Sequence, residues 1–497
     1  MTPTVLDAIT GAIIISPPRH SGNPASGDLG DNFCHSPLLK QGNIRLLRLL
    51  PHKDTKAPIQ CQLFEYPLQE PNRGAHLYDA LSYVWGSEED KQPIFIQSHD
   101  KGDGSSTAPS TGNNRRLLVT ANLHAVLSHI RDRLLERVMW IDAVCINQED
   151  DDEKGLQVQS MAKVYAYANR VIVWLGEAAS DSGEAFKALR KAAREQHARH
   201  SIERPTQQAI LSLLKRPWFQ RIWVVQEVAA ARHILIKCGP LEIDGFIFCL
   251  GLGALKLSYD TCPDLQDLIP PITYLIRDAI FRPRYEASQP ETSQPATFSL
   301  NIHPLGELVD MYHTRKATNR LDKAYALLGM SSDDPRTAGL LADYKQPWGE
   351  VFRKLIQFSL SDQVFIDTWD DCSVAVIQGK GHIVGRVSSV QSDDDPQGDM
   401  QSIRIAWKNV LGDFHTEGEE NSRFDIPASA KLIHKGDIIY LLHGTLKPTI
   451  VRLCNSYLRV IMITAPLSET ESRWSEHLRS ITTTSPTDFM MIWDWDT

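Results

Sequence analysis

Apolar residues in the first half of the chain follow two rhythms. Ile44 to Leu50 and Ile59 to Tyr66 alternate like half-buried strands, with a polar loop between them. Tyr78 to Tyr83 is a short apolar run that ends in a turn at Gly86, and Val138 to Val144 is a second run leading into an acidic loop, Asn147 to Asp152. Arg170 to Gly176 is almost continuously apolar, the mark of a strand covered on both faces. Between these runs the spacing changes to that of helices. Leu123, Val126, Leu127, Ile130 and Leu134 form one stripe, and Met161, Val164, Tyr165 and Ala168 form another. Strand and helix in alternation predict an α/β domain with a parallel sheet. Its ligand crevice would lie beyond the carboxyl ends of the strands, at Gly86, Cys145 to Gln148 and Gly176.

The rest of the pattern divides the chain. Residues 1–40 carry Pro and Gly among polar residues and read as a flexible leader, and residues 41–240 hold the α/β domain, closing on a strand at His233 to Cys238. Residues 241–360 are helical in rhythm, apart from a low-complexity stretch at Glu286 to Asn301. Residues 361–497 switch to short strands with turn signals, a small β-rich module. Ser98 to Asn114, rich in Gly, Ser, Thr and Asp, reads as an exposed insertion.

One stretch stands apart, Arg216-Pro217-Trp218-Phe219-Gln220-Arg221-Ile222-Trp223-Val224-Val225-Gln226-Glu227. Pro217 suits the first turn of a helix, so a helix is expected to start there and run through Glu227. Trp223, Gln226 and Glu227 would share one face. A carboxyl beside an indole in a cleft suits a group whose protonation is used chemically. The plain alternative is a glutamate paired within a core helix, through Arg221 or another partner.

Composition narrows the function classes. With 497 residues the chain can bury a large core, and 42% hydrophobic with 23% charged residues is ordinary for a globular protein. A formal net charge of −9, with no concentrated Lys/Arg run, argues against a general nucleic-acid binder. Eight scattered cysteines without a Cys-x-x-Cys pair, and no His-Glu-x-x-His, point away from disulfides and metal and toward a reducing cytoplasm. The longest apolar stretch, Phe246 to Leu255, is about half of a bilayer span. Gly251-Leu252-Gly253 lacks the third glycine of a dinucleotide fingerprint, and Gly379-Lys380-Gly381 lacks the Ser or Thr of a phosphate loop. Cys145 has no histidine near it in sequence to activate it, so a buried structural thiol is the plainer reading.

Three blocks then combine: Ser82-Tyr83-Val84-Trp85-Gly86, Trp140-Ile141-Asp142-Ala143-Val144-Cys145-Ile146-Asn147-Gln148, and Arg216 to Glu227. Together, and in this order, they resemble the fungal heterokaryon incompatibility (HET) domain. Ala317 to Met330 and Asp343-Tyr344 resemble a block that usually follows such domains, read here as structural. Tyr78 to Tyr83 also looks like the first strand of the Toll/interleukin-1 receptor (TIR) fold, and Trp223-x-x-x-Glu227 like that fold's Trp-x-x-x-Glu helix. The resemblance implies a TIR- or flavodoxin-like sheet and a role in self/non-self recognition and cell death in a filamentous fungus. It also implies NAD as a substrate, with no resident cofactor. In a glycohydrolase Glu227 would stabilise an oxocarbenium-like ribose. Tyr83, Trp85 and Trp223 would wall the ligand, and Asp142, Asn147 and Gln148 would contact its polar groups. The non-enzymatic alternative has the domain acting by self-association or by binding a sensor partner. Trp85 and Trp223 then serve packing and Asp142 caps a loop. No nucleotide-binding oligomerisation domain or helical repeat array is visible, so the trigger must come from another molecule or from residues 361–497.

Overall fold

The computed structural model describes residues 32–40, 42–68, 77–97, 114–195, 202–255, 257–259, 261–262, 264–279, 298–391, 400–408, 414–415, 423–427, 431–445, 447–455, 457–466 and 485–496. Most of the expected insertion at 98–114, most of the expected leader at 1–40 and residues 286–297 of the low-complexity stretch lie outside them.

Nine strands make the first sheet: β1 (Asn43–Leu49), β2 (Gln60–Pro67), β3 (Asp79–Tyr83), β4 (Gln92–Gln97), β5 (Asn114–Val119), β6 (Arg137–Trp140), β7 (Val171–Trp174), β8 (Ile234–Cys238) and β9 (Leu241–Asp244). Their spatial order is β5-β4-β2-β1-β6-β3-β7-β8-β9. The four central strands, β6-β3-β7-β8, are parallel. Numbered by chain order they run second, first, third, fourth, the order of flavodoxin-like sheets. Around this parallel core the sheet is mixed. The β1–β2 hairpin pairs antiparallel with β6, and β9, unread in the sequence, pairs antiparallel with β8. All four residues of β7 are buried, as expected of a strand covered on both faces.

The chain from 32 to 40, expected to be loose, is tied to the core. Phe33 N–H donates to the Arg116 carbonyl, and His35 Nε2 lies 2.8 Å from the Val144 carbonyl oxygen. Arg45 of β1 reaches the Ser36 carbonyl at 2.6 Å while gripping Glu153 with both guanidinium nitrogens, at 2.5 and 2.8 Å.

Helices fill the connections. Helix α1 (Ala121–Ile130) is capped by the Thr120 hydroxyl. It stops one turn earlier than its apolar stripe suggests, because Asp132 takes the N–H groups of Leu134 and Leu135 in a turn. Leu134 is 73% exposed as a result. Strand β6 ends at Trp140, and the expected strand residues 142–144 belong instead to a helical turn, α2 (Asp142–Cys145). Helix α3 (Asp151–Tyr167) starts on an Asp150 cap with three acidic residues in its first turn. Helices α4 (Ser182–Arg194) and α5 (Arg204–Leu214) occupy the segment between β7 and the Arg216 stretch.

That stretch is not one continuous helix. Pro217–Gln220 form a 3-10 turn, Arg221 is extended (φ −74°, ψ 142°), and α6 (Trp223–Ala230) starts afresh. The interruption comes from outside the stretch. Lys316 pairs with it in strand fashion, its N–H donating to the Gln220 carbonyl and its carbonyl accepting from Ile222 N–H.

Helices α7 (Gly245–Ala254), α8 (Asp264–Asp278), α9 (Leu305–Tyr312), α10 (Leu321–Leu328) and α11 (Trp348–Ser359) follow. A Cβ at Gly251 of α7 would sit 2.4 Å from the Leu189 carbonyl oxygen of α4, so the two helices approach at backbone distance. Gly251→Ala is expected to lower stability by about 2 kcal/mol through overpacking, read as a lower midpoint in urea unfolding. The C-terminal sheet is built around the long strand Val374–Gln391, which pairs with Phe365–Thr368, Met400–Lys408, Ile438–Leu442 and Thr487–Asp494. Ala375, Ile377, Tyr440 and Trp493 join the main core, whereas Val384, Val387, Ile403 and Ile439 form a smaller one. No helix among the described residues is long and apolar enough to cross a membrane.

Candidate functional site

The carboxyl ends of β3 and β7 turn sharply at Gly86 (φ +85°) and Gly176 (φ +99°), a backbone region that glycine enters without strain. Next to these ends, α6 brings Glu227 beneath β3. Glu227 is 2% exposed. The Ser82 hydroxyl donates to its Oε2 and accepts from Trp218 Nε1 at 2.7 Å. Indole, hydroxyl and carboxyl form a relay in which every partner is buried, Ser82 and Trp218 being fully covered. Burial pushes the Glu227 carboxyl up to about 7, with Arg221 and the Ser82 hydrogen bond pulling the other way.

Arg221 is half-buried and donates to the Tyr83 carbonyl. Its extended backbone aims the guanidinium where it acts through space on three carboxyls, those of Asp142, Glu227 and Asp322. Asp142, in the helical turn after β6, accepts from Trp85 Nε1 at 2.8 Å and from its neighbour's Ala143 N–H at 2.8 Å. The Tyr83 hydroxyl, itself buried, faces the same carboxylate. Burial raises the Asp142 pKa against the pull of Arg221 and Trp85. Asp322, from α10, accepts from the Tyr344 hydroxyl at 2.7 Å, and the Trp223 indole faces it. Its pKa is also raised, by burial first. Lys154 Nζ lies 4.3 Å from the centre of the Tyr344 ring.

Of the residues picked from sequence, Tyr83, Trp85, Asp142, Trp223 and Glu227 converge on one cluster. Asn147 and Gln148 are occupied with their own loop. Asn147 N–H donates to Glu153 Oε1 at 2.8 Å, its Oδ1 accepts from Glu149 N–H, and Gln148 Nε2 donates to the Asp142 carbonyl at 3.0 Å. Ser82, Arg221, Asp322 and Tyr344 belong to the cluster without having been singled out for chemistry. Trp85 and Trp223 are half-buried, whereas Glu227 is buried. Three surface pockets, of about 370, 410 and 630 Å³, are lined by other residues. Cys145 is buried, and burial drives its thiol up to about 12, which suits packing and not nucleophilic attack. Among the described residues no group of three His, Cys, Asp or Glu side chains could hold a metal ion.

The 2-1-3-4 parallel core, completed by β8 at Ile234–Cys238, thus carries a relay that joins Ser82 of the first sequence block to Trp218 and Glu227 of the third. Residues 78–227 match the family model described as Heterokaryon incompatibility protein (HET). Over 351 residues it is 27% identical to heterokaryon incompatibility protein 6, OR allele, of Neurospora crassa, an alignment covering 61% of this chain and 49% of that protein. The chain therefore spans about half the length of that relative. No solved structure matches the chain.

Proposed function

We propose that this protein acts in heterokaryon incompatibility as a fungal cell-death signalling module, working in the cytoplasm by self-association or by engaging a sensor partner. The HET match and the named relative support the biological role. The observation that favours a non-enzymatic mode is the state of Glu227, which is covered by its own fold and engaged by Ser82. A carboxyl that stabilises an oxocarbenium ion must stand within contact of the ribose. Glu227 here is buried, with its Oε2 taken by the Ser82 hydroxyl. In this reading the relay fixes α6 to β3, and the more accessible Trp85, Asp142, Arg221 and Asp322 give that end of the sheet its recognition surface.

A second reading, cleavage of NAD, is favoured by one feature. Burial holds the Glu227 carboxyl at about 7, in the range where an acid can exchange its proton in a reaction. It requires the buried Glu227 to be uncovered. Expression of the wild type and of Glu227→Gln at matched levels, with NAD and viability followed together, separates the two. The signalling reading predicts that both chains kill cells equally and that NAD does not fall before viability does. Early NAD loss with the wild type and none with folded Glu227→Gln would establish the enzyme instead.

A further inference from the structure

The chain's last described residues pack on the helices behind the HET domain. Strand Thr487–Asp494 pairs with Val374–Gly381, and Trp495 N–H continues the ladder to the Ser373 carbonyl at 2.8 Å. Trp493 and Trp495, 1% and 0% exposed, close an aromatic box with Trp348, Phe352 and His313. His313, at the end of α9, has Nδ1 at 2.7 Å from the Trp495 carbonyl oxygen. One residue further on, Asp496 forms an ion pair with Lys323 of α10.

Lys323 is the immediate neighbour of Asp322. On successive positions of α10, one side chain is held by the C-terminal tail and the other joins the cluster around Arg221, Trp223 and Tyr344. The same helix is seated on α6. Gln226, next to Glu227, donates to the Ala326 carbonyl at 3.2 Å. A Cβ at Gly329 would lie 2.7 Å from both Gln226 Nε2 and Ala162 Cβ, so this contact has no slack.

We infer that residues 493–496 are an intramolecular latch: the tail holds α10 against α6, and α10 in turn keeps Asp322 in the cluster around Arg221 and Trp223. Detaching the tail leaves α10 without its Asp496 anchor and without the aromatic box that α9 and α11 share with it. Asp322 and Gln226 are then the first contacts to loosen, since local opening follows the loss of the packing that closes a segment. A partner that competes for the tryptophan-rich tail would thereby expose the HET cluster.

The test uses the full chain and hydrogen exchange. Asp496 is more than half exposed at its side chain, so Asp496→Lys can be made without touching the core. Asp496→Lys and Lys323→Asp are each expected to speed exchange over 223–230 and 321–328 about threefold to tenfold, the range for replacing a partly exposed ion pair with like charges. The doubly swapped chain should restore slow exchange. Protection of 43–49 monitors the global fold. Should Lys323→Asp lose it, Asp496→Lys and the milder Asp496→Asn carry the comparison. Acceleration confined to 487–496, or none over 223–230, overturns the latch. Killing of cells at lower expression by Asp496→Lys would further support it as a switch. Faster exchange with unchanged killing would keep the latch and count against the cell-death reading above, on which only that cellular readout rests.

Discussion

Arg45→Met should lose about 3 kcal/mol of stability, because it leaves Glu153 without the cation that neutralises it. The Arg45 side chain is 5% exposed and that of Glu153 12%. Arg45 also donates to the carbonyls of Ser36 and Cys145, so one deletion frees three acceptors. The loss falls on the joint between β1 and the start of α3, next to the Asp142 turn. The pH dependence has a definite sign. Arg45 and the Asn147 N–H hold the Glu153 pKa below its ordinary value despite burial. Its contribution to the wild type is therefore present above the unfolded-state pKa and fades as pH falls through the lower folded value. Urea unfolding at pH 7 and at pH 4 should show a gap between wild type and Arg45→Met that shrinks in acid. Equal stability at pH 7 would mean that Glu153 is solvated well enough not to need its partner.

Neither half of that pair is legible in sequence, since 108 positions separate them and a lone arginine on a strand reads as solvent-facing. What periodicity does carry is element type. The apolar runs at 79–83, 137–140, 171–174 and 234–238 became the four central strands. Direction and neighbours are another matter, because alternation marks a strand without naming its partner. That is why the antiparallel pairings of the β1–β2 hairpin and of β9, which flank the parallel core, were not legible. The break at Arg221 was hidden for a related reason. The Pro217 signal favours a continuous helix there, and a backbone pairing with Lys316, some 95 positions away, overrides it. The site was partly readable. Trp218, Trp223 and Glu227 lie in one conspicuous stretch and Ser82 to Trp85 in another, and the fold brings these blocks together. Asp322 gave no signal of its own, being an acidic residue at the start of a helix, where such residues are common.

The account turns on Glu227 being a sealed acid. In the unfolded chain its pKa is the ordinary 4.5, and in the fold burial lifts it to about 7. The folded state thus holds a proton that the unfolded state has released. Its contribution is fully present below pH 4.5 and is lost as pH rises through 7, a change of about 3 kcal/mol at 1.36 kcal/mol per pKa unit. Glutamine at this position can still accept from Ser82 but carries no titrating proton. Other raised carboxyls, Asp142 and Asp310 among them, are common to both chains and cancel in the difference. Unfolding free energies of wild type and Glu227→Gln, measured across pH 4.5 to 8, are the most direct test. A sealed carboxyl predicts that the difference shifts by about 3 kcal/mol in favour of the glutamine variant as pH rises. Parallel curves would show Glu227 titrating as it does in open water, and would return it to the list of groups free to meet a ligand.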